Sequence, residues 1–278
     1  IFCQLVRTAL YVKDEHSIPK TLDYMDALSK GLERRIKISK FWQKPFVKME
    51  WQRMKRFENL AFEFFKNHII IDSSDRNEIA HIDNKNIEII PNGIDTNYFQ
   101  KIITDKIYDL IFVGNLSYVP NIEAAKFITK KIFPLLQEKV PNIKILISGS
   151  NPSKKVLRLS NENIKVTGWV DDIRETYCSG KVFFAPMSLG SGLQNKLLEA
   201  MSLGIPCITS NLCNESLGAT HMKNIIIGNS VEQYISQILN ILSKPELISK
   251  IEKNGREFVN KKFSWESSNK ILLEILKR

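Results

Sequence analysis

VFFAPMSLGSGLQNKLLEAMSLGIPCITS, residues 182–210, joins two apolar runs through a glycine-rich turn and one amphipathic segment. The runs, VFFAP at 182–186 and IPCITS at 205–210, are short and continuously apolar, as strands covered on both faces are. Between them Leu193, Leu197, Ala200 and Met201 recur at spacings of three and four, which predicts a helix over 193–203 with one face in a core. Gly204 is placed to end that helix in a left-handed residue, and Pro206 forbids its continuation. Strand, helix and strand within 29 residues form a parallel crossover unit.

The same unit recurs outward from this stretch. Strands are predicted at IEII (87–90), DLIFVG (109–114), IKILISG (143–149), IKVTG (164–168) and NIIIG (224–228), with helices over 121–139, 153–160 and 171–178. Asn121, just after Pro120, reads as a helix cap. The expected class is α/β, a doubly wound parallel sheet. The part before Ile87 is less regular. PKTLDYMDALS (19–29) reads as a strand entering a loop, 30–66 as a long basic and aromatic helix interrupted near Pro45, and NHIIIDSSDRNEI (67–79) as a strand followed by a capped helix. Residues 1–86 are therefore expected to be the remnant of a first α/β domain with an amino-terminal piece missing. The domain beyond it is expected to span 87–260. FSWESSNKILLEILKR closes the chain as a helix with Ser264 at its cap, within 261–278.

Composition narrows the function classes. The 278 residues carry a formal net charge of +10, with 43 % hydrophobic and 25 % charged residues, the profile of a water-soluble globular protein. The excess is local: Lys30 to Lys66 holds 11 Lys/Arg against 4 Asp/Glu, a net of +7 (11 − 4). With Phe41, Trp42, Phe46, Trp51, Phe57, Phe62 and Phe64 interleaved, 30–66 either is a solvated helical face or leans on an anionic membrane. A nucleic-acid partner would account for the charge but not for the Gly-Ser-Gly turn. Cys3, Cys178, Cys207 and Cys213 lack metal or disulfide spacing and read as reduced thiols of a cytoplasmic protein. No spanning helix and no leader are expected. The four histidines are scattered, no zinc set or nucleophile triad is evident, and the Gly-x-Gly-x-x-Gly dinucleotide fingerprint is absent. No metal and no cofactor are expected.

Ligands of open parallel sheets bind beyond the carboxyl ends of the strands. After 182–186, the amides of Ser191, Gly192 and Leu193 open the predicted helix without intrahelical partners and favour an anion. Gly190 and Gly192 let a phosphate approach the backbone. Lys196, one turn in, adds a full charge, and the Gln194 and Asn195 amides can bond a sugar. A plain loop is the bland alternative. Glu199 either pairs with Lys196 on the helix surface or accepts from two ribose hydroxyls. Gly114 and Asn115 end a strand and offer either an ordinary turn or a second backbone approach to a diphosphate. Gly168, Trp169 and Val170 could flank a flat base, unless the Trp is a packing anchor. Asp23 and Asp26, near a strand end of the first domain, could face an acceptor.

IIPNGIDTNYF, FVGNLSYVPNIEAAKFITKKIFP, IKVTGWVDDIRETY and GSGLQNKLLEAMSLGIPCITS, in this order, resemble the donor-binding half of family 4 glycosyltransferases over about Ile87 to Trp265. The variant is similar to bacterial exopolysaccharide-type sugar transferases. The resemblance implies a GT-B fold: two Rossmann-like domains facing a cleft, a carboxyl-terminal donor domain, and a last helix crossing back. It implies a metal-independent, retaining hexosyltransferase that moves a sugar from a nucleotide diphosphate sugar to a carbohydrate or lipid-linked acceptor; the basic stretch 30–66 makes the inner face of the plasma membrane one place where a cytoplasmic enzyme could meet such an acceptor. By the resemblance, Gly190 to Leu193 and Lys196 take the diphosphate, Glu199 the ribose, and Ser191, Gln194 and Asn195 sugar or phosphate. Lys196, Glu199 and Ser191 form the catalytic set. Ser191 stands where the family commonly has Glu, and Asn115 and Pro120 stand where it often has Arg and Lys. A nucleotide-sugar epimerase of the same architecture and an inactive nucleotide-binding fragment are the rival expectations.

Overall fold

A computed structural model of the chain describes residues 1–189 and 192–277; Gly190 and Ser191, two of the expected site residues, lie outside them. Two compact units are present: Ile1–Asn92 with the chain from Glu266 onward, and Gly93–Trp265.

The first unit holds a four-stranded parallel sheet: β1 (Phe2–Gln4), β2 (Thr21–Asp23), β3 (Asn67–Ile70) and β4 (Glu88–Ile89), paired in chain order. β4 corrects the expectation that IEII opens the second sheet. Its register, Ile69 beside Glu88 and Ile70 beside Ile89, makes it the edge of the first. Helices α1 (Leu28–Ile38), α2 (Lys44–Phe62) and α3 (Ser73–Glu78) follow β2 and β3. The long basic helix breaks at a 3₁₀ turn, Phe41–Gln43, so that Pro45 falls in the first turn of α2, where its missing N–H costs nothing. The Asp72 carboxylate caps α3 by accepting from the Ser74 N–H at 2.6 Å. Leu22, Tyr24, Ala61, Ile70, Ile79 and Ile87 form this unit's core.

The second unit holds six parallel strands: β5 (Tyr108–Val113), β6 (Ile145–Ser148), β7 (Ile164–Thr167), β8 (Gly180–Ala185), β9 (Cys207–Thr209) and β10 (Ile226–Ile227). Their spatial order is β10-β9-β8-β5-β6-β7. The chain builds β5 to β7 in one direction, then returns to place β8 on the other side of β5. The crossovers are α4 (Val119–Phe127), α5 (Phe133–Lys139), α6 (Lys154–Leu157), α7 (Ile173–Cys178), α8 (Asn195–Ser202) and α9 (Asn211–Leu217). A π turn, Ile128–Ile132, joins α4 to α5. Then come α10 (Val231–Ser243) and α11 (Pro245–Lys262), followed by α12 (Trp265–Leu276), which from Glu266 onward belongs to the first unit. Every residue from Leu110 to Val113 and from Val182 to Ala185 is buried, as both-face coverage requires. Among the described residues no helix is long and apolar enough to cross a membrane.

Candidate functional site

β5 and β8 are neighbours whose following chains depart to opposite ends of the sheet. This is the switch point of a doubly wound sheet, where loops leave a crevice at the carboxyl ends of the strands. Three segments meet there: Gly114 to Tyr118 after β5, the chain that leaves β8 at Pro186, and the loop after β6. The last passes so close that a Cβ on Gly149 (φ +154°) would lie 1.6 Å from the Gly114 carbonyl oxygen, so only glycine fits. The Leu116 N–H donates to the Ser150 carbonyl at 2.8 Å and locks the two loops together.

α8 begins at Asn195 rather than at Leu193. Gly192 is left-handed (φ +74°) and Gln194 has extended ψ, so the helical path starts two residues later than its apolar period suggests. The Leu197 N–H already donates to the Gln194 carbonyl at 2.9 Å, leaving Asn195 and Lys196 at the front of the helix. Leu193 is therefore corrected from helix amide to loop residue, packed against the core.

Lys196 turns inward. Its ammonium donates to Asn121 Oδ1 at 2.5 Å, stands 5.4 Å from the centre of the Phe112 ring and 4.0 Å from Met187 Sδ. Burial lowers its pKa to about 8, against the opposing influence of the Cys213 thiol and Glu199. An ammonium has three donors, and a single neutral amide takes up one of them here. Of the two readings of Glu199, the surface pair with Lys196 is not formed; no oxygen of Glu199 lies within 4 Å of the ammonium. Glu199 Oε2 instead accepts from the Tyr177 hydroxyl at 2.7 Å. Burial raises the Glu199 pKa, opposed by that hydroxyl and by Lys196. Glu199 also lines a cavity of about 200 Å³ with Asn195, Leu198, Phe99, Trp265 and the Gly93–Asp95 turn.

Asn121 is not the helix cap. Tyr118 occupies that position, and Asn121 sits in the first turn of α4, 4 % exposed. Its side chain spans the crevice: Nδ2 donates to the Asn115 carbonyl at 2.9 Å while Oδ1 holds Lys196. Asn115 Oδ1 accepts from the Ser117 N–H and hydroxyl, so its side chain closes its own turn. Gly114 is packed against Asn121, where a Cβ would lie 2.8 Å from the amide.

The loop after β7 presents Gly168, with open space where a Cβ would project, Trp169, 73 % exposed, and a partly buried Val170. Trp169 is thus no packing anchor. The start of α7 is tightly bonded: Asp172 caps the helix through the Arg174 N–H (2.9 Å) and takes the Arg174 guanidinium on both oxygens. The guanidinium lies 4.3 Å from the Tyr98 ring centre, and the Tyr98 hydroxyl donates to Asp172. That pairing holds the Asp172 carboxyl down at about 2. In the first unit Asp23 ends β2, accepts from the Met25 N–H at 2.9 Å and has its pKa raised by burial, while Asp26 is exposed on the same turn. Met25 is left-handed (φ +63°), a strained conformation for this residue type.

Lys196, Asn115, Gly114, Asn195 and Glu199 all lie in the second unit. The sequence reading missed Asn121 as a site residue, Tyr177, and the Gly93–Asp95 turn, although PNGID lies inside the first of the four family-like motifs. All four cysteines are buried free thiols. Among the described residues no cluster of three His, Cys, Asp or Glu side chains could hold a metal.

Known proteins resemble this chain in sequence and in fold. The family described as glycosyl transferases group 1 matches residues 108–244, from β5 to the end of α10. HepE of Anabaena, solved with UDP, superposes with a TM-score of 0.74 at 15 % identity over 99 % of this chain and 78 % of its own. UDP-Gal:alpha-D-GlcNAc-diphosphoundecaprenol alpha-1,3-galactosyltransferase of Escherichia coli is 29 % identical over 59 % of this chain and 49 % of its own. An uncharacterized 44.6 kDa protein in the cps region of Klebsiella pneumoniae is 24 % identical over 61 % and 45 %. The matched stretches thus span less than half of either curated relative. The chain has the GT-B fold. Within that class, residues 108–244 are similar to the group 1 glycosyltransferases.

Proposed function

We propose that the chain takes part in surface polysaccharide synthesis by transferring a sugar from a nucleotide diphosphate sugar to a carbohydrate or lipid-linked acceptor. The observation that carries this is the Lys196 ammonium, partly buried at the switch point and held by a neutral amide. As the sugar–phosphate bond breaks, negative charge grows on the leaving diphosphate. A desolvated ammonium and the Asn195 and Lys196 amides at the front of α8 stabilise it without reorganising. Glu199 accepts from the ribose hydroxyls in the adjoining cavity, and Trp169 offers its ring to the base. Gly192 and Gln194 serve the sugar and phosphate, the role the sequence also assigns to Gly190 and Ser191. Asp23 and Asp26 face the acceptor. The transferred hexose keeps its anomeric configuration, and turnover needs no metal.

The Escherichia coli relative, by its name, takes UDP-Gal and a diphosphoundecaprenol-linked acceptor, which favours a UDP-sugar and a lipid-linked saccharide here. A lipid-linked acceptor also favours work at an anionic membrane face in the cytoplasm, met by the basic and aromatic segment 30–66.

A panel of labelled UDP-, GDP- and ADP-hexoses is offered with a diphosphoundecaprenol-linked saccharide, with and without EDTA. Transfer from one donor class, unchanged by EDTA and with the product anomer matching the donor on NMR, is the expected result. Absence of transfer, together with no thermal stabilisation by any of the three nucleoside diphosphates, overturns the proposal. Donor epimerised without acceptor would reassign the site to an epimerase.

A further inference from the structure

We propose that Asn121 is a positioning residue for the diphosphate charge: its amide clamps the Lys196 ammonium across the β5/β8 crevice and leaves that charge uncompensated. This deepens the proposed function and rests on it. Three observations converge. Asn121 is nearly inaccessible, yet it uses both ends of its amide on groups of the crevice, the Asn115 carbonyl and Lys196 Nζ. Its place in the first turn of α4 requires no such side chain, since Tyr118 already opens the helix. Among the described residues the other groups in contact with Nζ are the Phe112 ring and the Met187 sulfur, neither of them charged.

An amide oxygen is the partner this task needs. It orients the cation without neutralising it, so a full charge remains for an anion. A carboxylate in its place would form a closed ion pair and repel the diphosphate. The titratable groups facing Lys196 are Glu199 on its own helix, engaged with the Tyr177 hydroxyl, and the Cys213 thiol of α9. Both favour the charged form through space, and among the described residues the Asn121 oxygen is the oxygen hydrogen-bonded to the ammonium.

The test is UDP affinity by calorimetry from about pH 6.5 to 9.5 for wild type, Asn121→Asp, Asn121→Ala and Lys196→Ala. In the wild type, affinity falls as pH rises through the Lys196 titration. Asn121→Asp weakens binding about tenfold near pH 7 and flattens the fall, because the new carboxylate holds the proton on Lys196. Asn121→Ala weakens it about fivefold, the worth of one hydrogen bond, and moves the midpoint to lower pH. A residue that merely packs would not move the midpoint. Folded variants that keep the wild-type midpoint, while Lys196→Ala loses binding, overturn the Asn121 role and leave the donor site standing. Should both variants fail to fold, the Asn121 side-chain amide signals of the wild type decide: they shift with the Lys196 titration and on adding UDP, and invariance overturns the role. Wild type binding none of UDP, GDP and ADP, or Lys196→Ala binding as wild type does, overturns the donor-site proposal itself.

Discussion

Lys196 is under two opposed demands. Burial penalises its charge, and the proposed chemistry requires it. With its pKa lowered to about 8, below the ordinary lysine range, the folded state holds its proton less tightly than the unfolded chain. The burial cost is therefore fully present below pH 8 and is relieved as pH rises through 8 toward 10.5. Lys196→Met, similar in length and uncharged, is expected to stabilise the ligand-free protein at pH 7 by about 1 kcal/mol, net of the bond Asn121 loses. Melting curves should show that gain shrinking by about pH 9.5. UDP affinity at pH 7 should drop about 10- to 100-fold, as loss of a charged hydrogen bond implies. A destabilised Lys196→Met would contradict the assignment. Glu199 behaves with the opposite sign. Burial raises its pKa and the Tyr177 hydroxyl opposes that rise. Tyr177→Phe leaves the ring in the core against Phe183 but removes the donor, so the Glu199 pKa climbs further. If Glu199 binds ribose as a carboxylate, the acid limb of UDP affinity moves to higher pH in Tyr177→Phe, and an unmoved limb removes Glu199 from the ribose.

Among the elements, the connection between α1 and α2 is the least explained by packing. Phe41 is 88 %, Trp42 62 % and Phe46 68 % exposed, beside Lys40, Lys44 and Lys48. The Lys40 ammonium lies 5.9 Å from the Trp42 ring centre. Solvated aromatics next to a run of lysines match a surface that meets anionic lipid, each basic residue adding about 1 kcal/mol near such a membrane. Sedimentation with vesicles containing phosphatidylglycerol should pull down the wild type at low salt. The triple variant Phe41→Ser, Trp42→Ser, Phe46→Ser should bind at least about tenfold more weakly, since each ring withdraws apolar area from water. Equal binding of both, or equal binding to neutral vesicles, would leave this segment a solvated helix pair. Long, strongly periodic elements are readable in the sequence: β5, β6 and β8 as apolar runs, and the core face of α8, where Leu197, Ala200 and Met201 are all buried. Short ones are not. β4 has two residues, and only its pairing with β3 decides which sheet it joins. The start of α8 departs from its periodicity because Leu193 keeps the apolar spacing while the backbone at Gly192 leaves the helical region.

For the molecule as a whole, the doubly wound class is legible because crossover units repeat, and the site's place follows from the sheet's switch point. Its wiring is not legible. Asn121 and Lys196 lie 75 residues apart, and each has a satisfactory local account in the sequence, a cap for one and a helix-surface pair for the other. Only the register of β5 beside β8 makes them partners. The two units carry separate cores, and the ties of the closing helix are unequal. Trp265 packs on Gly93 within the second unit, where a Cβ on Gly93 would lie 2.6 Å from the indole. From Glu266 onward the chain belongs to the first: the Ser268 hydroxyl donates to the Pro91 carbonyl at 2.8 Å, and the Asn67 amide donates to the Ile275 carbonyl at 3.3 Å. Truncation after Trp265 is therefore expected to unfold the first unit selectively, because it strips the buried Ile275 and both of those bonds while leaving Ile94 to Phe263 packed. Two melting transitions should separate in the truncated chain, the lower one unaffected by UDP and the upper one raised by it, by about 2.7 kcal/mol at a hundredfold excess over its dissociation constant. A single transition responsive to UDP would mean that the nucleotide site needs the first unit, and the assignment of diphosphate, ribose and base to residues of the second alone would fall.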